Sequence, residues 1–146
     1  MIKIYYCLIG VLHTVLIGFN PIIVYASTYY VDYASGSDSR LGTSYSEAWK
    51  HCPGDLNATD NAASIRLVGG DSVIFKGGIT YIGEIRLLQS GSSSSSIIYD
   101  GNSSGSWGVG KAIISGDNRN LYGFTGSGSG FITINNFESQ YRTFNS

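Results

Sequence analysis

Charge is scarce in this 146-residue chain: Asp, Glu, Lys and Arg make up 13% of it, about half the usual share of a soluble domain. The formal net charge is −1. There is therefore no basic field to gather nucleic acid and no acidic tail to solvate. Cysteine is almost missing, with only Cys7 and Cys52, which excludes a small disulfide-stapled scaffold. Proline occurs twice against 20 glycines, a balance that favours many turns over long helices. Apolar residues at 42% and aromatics at 13% are too many for a disordered chain. The length allows one domain.

Residues 1–26 read as a delivery segment. Lys3 is their single charge, and it precedes an apolar run from Ile4 to Ile17. Gly18, Asn20 and Pro21 break the run, and Val24-Tyr25-Ala26 offers a cleavage site that would make Ser27 the new terminus. This is the order of a secretory signal peptide; a membrane anchor is the competing reading of so long a run. Secretion implies an extracellular protein with no membrane attachment after cleavage. Cleavage would remove Cys7 and leave Cys52 without a partner. His51 beside it suggests a metal pair, but neighbouring residues seldom face one ion and no third ligand is spaced for it.

Beyond residue 26, Gly and Ser separate short runs rich in Val, Ile, Tyr and Phe, the pattern of strands bounded by turns. The runs are Tyr29–Tyr33, Ser72–Lys76, Glu84–Leu88, Ile97–Asp100, Lys111–Ser115, Leu121–Phe124 and Phe131–Phe137. Val73 and Phe75 share one face of their run, and Ile85 and Leu87 share the face opposite Glu84 and Arg86, as in strands with one side in a core. Two stretches read as helical. Ser44-Tyr45-Ser46-Glu47 matches a capping box leading into Ala48, Trp49 and Lys50, and Cys52-Pro53-Gly54 ends it. Residues 58–67 hold a second short helix. Strand centres recur about every 12 residues, so two steps make about 24, within the range of solenoid coils. A β-sandwich gives the same spacing.

An ordered set of motifs carries a resemblance. Tyr29-Tyr30-Val31-Asp32 leads to Ser35-Gly36-Ser37-Asp38, Gly42-Thr43 and Ala48-Trp49; Gly70-Asp71-Ser72-Val73-Ile74-Phe75-Lys76-Gly77-Gly78 follows; Ile97-Ile98-Tyr99-Asp100-Gly101 and Lys111-Ala112-Ile113-Ile114-Ser115-Gly116 come later. Over residues 28–138 this resembles the start of secreted right-handed parallel β-helix proteins of the pectate-lyase-like group. The Phe131–Glu138 stretch resembles a later coil, with Asn135-Asn136 where the family often has Asp-Gly. The resemblance implies an all-β solenoid: a signal peptide over 1–26, an N-terminal strand and helical cap region with a short helix over 27–70, and the first coils, about three, over 71–146, incomplete at the C-terminus. Trp49 would lie over the first coil, Asp71 would shape the turn into its wall, and Val73, Phe75, Ile85, Leu87, Ile98, Ile113, Ile132 and Ile134 would stack inside.

The fold implied by the resemblance hosts lyases, hydrolases, epimerases and adhesins. Lyases of the family use a basic group beside a uronate and calcium held by several carboxylates. No residue here matches such a motif, so no catalytic, cofactor-binding or metal residue is assigned. Calcium is an expectation for a longer parent protein, which would be a polysaccharide lyase or glycoside hydrolase, or else a non-catalytic adhesin or carbohydrate-binding module. Extracellular polysaccharide is the expected partner. Several residues remain to be weighed. Asp32 and Asp38 stand in a Ser/Gly loop that could hold calcium or simply cap turns. Tyr81, Tyr99, Trp107 and Tyr122 could stack on sugars or fill a core. Arg86 and Glu84 read as a solvated face, Ser92–Ser96 as a flexible loop, and Asn57-Ala58-Thr59 and Asn102-Ser103-Ser104 as glycosylation acceptors in a eukaryotic source.

Overall fold

The computed structural model describes residues 25–116 and 123–140. Most of the expected signal peptide, and Leu121 and Tyr122, lie outside them. The chain is all-β with parallel strands and one short helix among the described residues. In chain order the elements are β1 (Thr28–Val31), α1 (Asp60–Ser64), β2 (Ser72–Phe75), β3 (Thr80–Ile82), β4 (Ile85–Leu87), β5 (Ile97–Asp100), β6 (Ala112–Ser115), β7 (Phe124–Gly126), β8 (Ile132–Asn135) and β9 (Phe137–Gln140). They form three sheets, ordered β1-β2-β5-β8, β3-β6-β9 and β4-β7. Every ladder is parallel. From β2 onward the strands visit the three sheets in a fixed rotation: first, second, third, then first again. Parallel neighbours need long crossovers; the segment 32–71 with α1 supplies the one between β1 and β2, and from β2 onward two intervening strands and their turns supply them.

Register fixes which side chains face inward. Tyr29 pairs with Val73, Val73 with Tyr99, and Tyr99 with Ile134. Val73 and Tyr99 are fully buried, so this row points into the core. Two expected core residues are therefore out of phase. Ile98 and Ile113 face outward, and Ile97, Tyr99, Ala112 and Ile114 fill the core instead. In runs such as Ile97-Ile98 and Ile113-Ile114 hydrophobicity cannot set the phase; the neighbouring strand does. Edge-to-face ring contacts run through the interior, Tyr99–Phe124 at 5.6 Å, Phe124–Phe137 at 5.3 Å, Phe137–Phe75 at 5.1 Å and Phe75–Tyr81 at 5.0 Å. Such rings contribute large buried areas with defined geometry.

Other expectations need correction. The run 131–137 is two strands, broken at Asn136, whose φ of +58° turns the chain; asparagine tolerates that region. Strand β3 lies where no run was read, because Gly78 and Gly83 leave only four residues between them, of which three form the strand. The run read at Leu121–Phe124 becomes β7 beginning at Phe124. No helix forms over 44–50. The Glu47 N–H does donate to Ser44 Oγ at 3.3 Å, but the chain then turns and joins β1. Tyr30 N–H donates to the Gly42 carbonyl (2.8 Å), Trp49 N–H to the Tyr30 carbonyl (2.9 Å) and Asp32 N–H to the Trp49 carbonyl (2.8 Å). Long-range pairing overrides the local helix signal. The helix expected in 58–67 exists, shortened to α1.

Trp49 lies against β1, at the outer edge of the first sheet. Its indole is fully buried, stacks on Tyr29 at 4.9 Å and donates Nε1–H to the Arg40 carbonyl at 2.8 Å. Gly42, at φ +73°, approaches the indole so closely that a β-carbon would overlap it. The 42–49 segment thus covers the outer edge of β1. Asp71 shapes its turn by accepting Val68 N–H on Oδ2 at 2.9 Å and ties down the start of β1 by accepting Ser27 N–H on Oδ1 at 2.8 Å.

Candidate functional site

The two loop carboxylates singled out in the sequence are both saturated by donors. Asp32 accepts the N–H groups of Ala34 (3.0 Å) and Ser35 (3.2 Å), the Ser35 hydroxyl (2.6 Å) and the Lys76 ammonium (2.7 Å). Asp38 accepts N–H groups from Lys50 (3.0 Å), His51 (2.8 Å) and Thr59 (3.1 Å), and His51 Nδ1 lies 2.7 Å from its Oδ2. A calcium site needs several oxygen ligands converging; here N–H groups converge instead, and the carboxylates tie loops together. Among the described residues no three His, Cys, Asp or Glu side chains gather as metal ligands.

These bonds set the acid behaviour. Burial alone would raise the Asp38 carboxyl, but hydrogen bonds from the His51 ring and backbone and from Thr59, with the His51 charge, bring it below its usual value of 3.8. Asp32 is likewise opposed by burial and lowered by Lys76 and Ser35. A group whose folded value is depressed contributes stability that is present above the unfolded value and lost as pH falls through the folded one. Asp55, raised chiefly by burial, works the other way: its contribution fades as pH rises. Glu84, lowered first by the Thr125 hydrogen bond and then by Arg86, acts with Asp32 and Asp38, and three groups against one predict a loss of melting temperature below about pH 4. Asp38→Asn should lower stability at neutral pH and flatten that acid limb. Equal melting temperatures at pH 3 and pH 6 for the unaltered chain would contradict this account.

His51 and Cys52 do not face a common ion. The His51 ring turns to Asp38 and packs edge-on against Tyr33 at 5.5 Å. Cys52 points into the core, where burial first and the Asp55 charge second push its thiol well above the ordinary range. A thiol that stays protonated is a poor nucleophile and a poor ligand.

Of the four aromatics considered for sugar stacking, Tyr81 and Tyr99 are core. The Tyr81 hydroxyl donates to the Val31 carbonyl at 2.8 Å, and burial raises both phenols. Tyr122 lies outside the described residues. Trp107 is different. It belongs to a cluster on the outer side of the β1-β2-β5-β8 sheet with Tyr30 and Tyr45. Tyr45 stacks on Trp107 with ring centroids 4.9 Å apart and planes 8° from parallel. Tyr30 stands perpendicular to both, 4.8 Å from Tyr45 and 5.6 Å from Trp107. Lys76 Nζ lies over the Trp107 ring at 5.9 Å while paired with Asp32. Asn102 holds the loop that carries Trp107: its Oδ1 accepts Trp107 N–H at 3.1 Å and its Nδ2 donates to the Gly110 carbonyl at 3.0 Å. Asn102 is thereby buried, and the glycosylation motif starting there is a structural post; Asn57 is exposed.

Glu84 and Arg86 pair at 3.3 Å, and Thr125 donates to Glu84 at 2.7 Å. With Leu87, Leu88, Gly126 and Ser127, Arg86 and Thr125 line an open groove of about 350 Å³ along β4 and β7. The serine tract is no loose loop: Ser92 and Ser95 exchange two backbone hydrogen bonds of 2.8 and 3.0 Å. Tyr30 and Tyr45 had no signal in the sequence, because the contact that unites the cluster joins Tyr45 to Trp107 across a long sequence separation. No protein-family model and no curated protein matches the chain.

Proposed function

We propose that this chain is the N-terminal part of a secreted right-handed parallel β-helix protein of the pectate-lyase-like, polysaccharide-processing kind, with the reacting groups of that protein lying outside it. The observation that carries the reading is the fixed rotation of strands β2 to β9 through three parallel sheets, since a coil that rises one strand per turn generates that order. Parallel crossovers are right-handed in about 98% of cases. The ordered motifs from Tyr29 to Gly116 supply the link to polysaccharide. Secretion rests on the leader pattern, and one detail supports cleavage after Ala26: the new Ser27 ammonium would sit where Ser27 N now donates to the Asp71 carboxylate, a charge-assisted bond in place of a neutral donor. The Tyr45–Trp107 stack favours a second reading, a non-catalytic carbohydrate-binding β-helix module.

The test expresses the chain in a secreting host, sequences its terminus and runs it through gels containing polygalacturonate, alginate, xylan or hydroxyethylcellulose. A Ser27 terminus and retardation by at least one polysaccharide are expected. No unsaturated product should absorb, with or without calcium. An intact leader on membrane-bound product would refute secretion, and free migration in every gel would refute the polysaccharide reading. Turnover abolished by one substitution in this chain would move the reacting groups into it.

A further inference from the structure

We propose that the outward face of Tyr45 is a binding subsite for a neutral pyranose ring, an inference that rests on the polysaccharide reading and places a sugar contact on this chain itself. Tyr45 is 47% exposed although one of its faces lies on Trp107. Tyr30 does not cover the other face. The three ring centroids form a nearly equilateral triangle, with sides of 4.9, 4.8 and 5.6 Å. A ring on the far side of Tyr45 would be about twice that distance from Trp107. Tyr30 therefore stands beside the stack, and the exposed area of Tyr45 includes its free face.

The platform is held rigid from beneath. Trp107 has Tyr45 on one face and the Lys76 ammonium over the ring, fixed by Asp32 at 2.7 Å. Its backbone is held at both ends, by Asn102 Oδ1 on its N–H and by Gly77 N–H on its carbonyl. An aromatic face that is already ordered loses little freedom on binding. Around it lie hydroxyls: the Tyr45 phenol bonds Ser106 Oγ at 3.1 Å, and Ser106 Oγ bonds Ser104 Oγ at 2.7 Å. A pyranose has the matching form, with C–H groups on its face and hydroxyls on its rim, and sites of this kind combine an apolar surface with a few polar groups. The Lys76 charge is taken up by Asp32, so the platform favours a neutral sugar over a uronate.

Titrating the full chain with cellohexaose and, separately, hexagalacturonate, followed by calorimetry, tests this. Saturable cellohexaose binding is expected, weakened about tenfold or more by Tyr45→Ala and little changed by Tyr45→Phe, which keeps the ring. Melting temperature controls for folding. Equal affinity in Tyr45→Ala would overturn the subsite. Binding of hexagalacturonate but not cellohexaose would also overturn it, while leaving the polysaccharide reading intact. If neither sugar binds and the chain also migrates freely in all four gels, both fall.

Discussion

Trp49→Ala is expected to abolish a cooperative melt at 37 °C, or to lower the melting temperature by well over ten degrees. Truncating a buried tryptophan costs about 3–5 kcal/mol, a large part of the 5–15 kcal/mol that holds a typical domain. Three consequences add up at this position. The indole fills the space between Tyr29 and Gly42. Its Nε1–H ties the Arg40 carbonyl, which Asn61 at the start of α1 also binds. Its backbone covers the edge of β1, which would otherwise offer unpaired N–H and C=O groups to other chains. Trp49→Phe keeps a ring against Tyr29 but loses the Nε1 bond and the part of the indole that packs against Gly42, so it should destabilise clearly, though less than Trp49→Ala. Thermal melts of the two variants against the parent chain provide the measurement. A melting temperature for Trp49→Ala within a few degrees of the parent would mean that the 42–49 segment is not the closure of this end of the sheet.

The strands were legible because glycine and serine cut the sequence into strand-sized runs, and their parallel pairing only through the resemblance that ordered motifs such as Gly70–Gly78 carry. What was illegible follows from pairing. Nothing within Ile97-Ile98 or Ile113-Ile114 says which isoleucine faces inward; Val73 against Tyr99 and Tyr81 against Ile114 decide it. The break at Asn136 is a single positive φ inside an apolar run. The helix read at Ser44–Lys50 had its capping bond, and failed because Trp49 had a better partner in β1. Local chemistry was read correctly there and lost to a contact far along the chain.

The same reason governs the site. The turn-capping role of Asp32 follows from its Ser/Gly surroundings and was legible; Asp38 instead ties its loop to Lys50, His51 and Thr59, which no local pattern announces. Trp107 was singled out with Tyr81, Tyr99 and Tyr122 as able to stack on a sugar or fill a core, and nothing in the sequence set it apart from them. Tyr45 was not legible, since only the fold brings the Ser44-Tyr45-Ser46 turn onto the Asn102–Gly110 loop. Asn102 shows the converse: a glycosylation pattern in one dimension is a buried two-bond post in three. Sequence reports residue type and spacing well, but the outer surface of a sheet is assembled from turns that have no mutual signal.

Self-association is the expected behaviour of residues 27–146 in isolation, and it should run through β8 and β9, the outermost strands of their sheets among the described residues. Ile134 continues the inward row of Val73 and Tyr99, yet it is 42% exposed where Tyr99 is 2%. Phe131 is exposed as well. An apolar row beside a free strand edge is the arrangement that recruits further strands, and the opposite end is covered by Gly42–Trp49, so head-to-tail stacking is blocked while edge-to-edge contact is open. Light scattering at tens of micromolar should report dimers or larger species. Ile134→Lys puts an inward charge on the edge, a device that proteins use against such pairing, and should return the chain to a monomer with a similar melt, because the side chain it replaces is already half in water. Association unchanged in Ile134→Lys would assign it to another surface. A parent chain that stays monomeric and melts sharply and reversibly would mean that this edge is closed in solution.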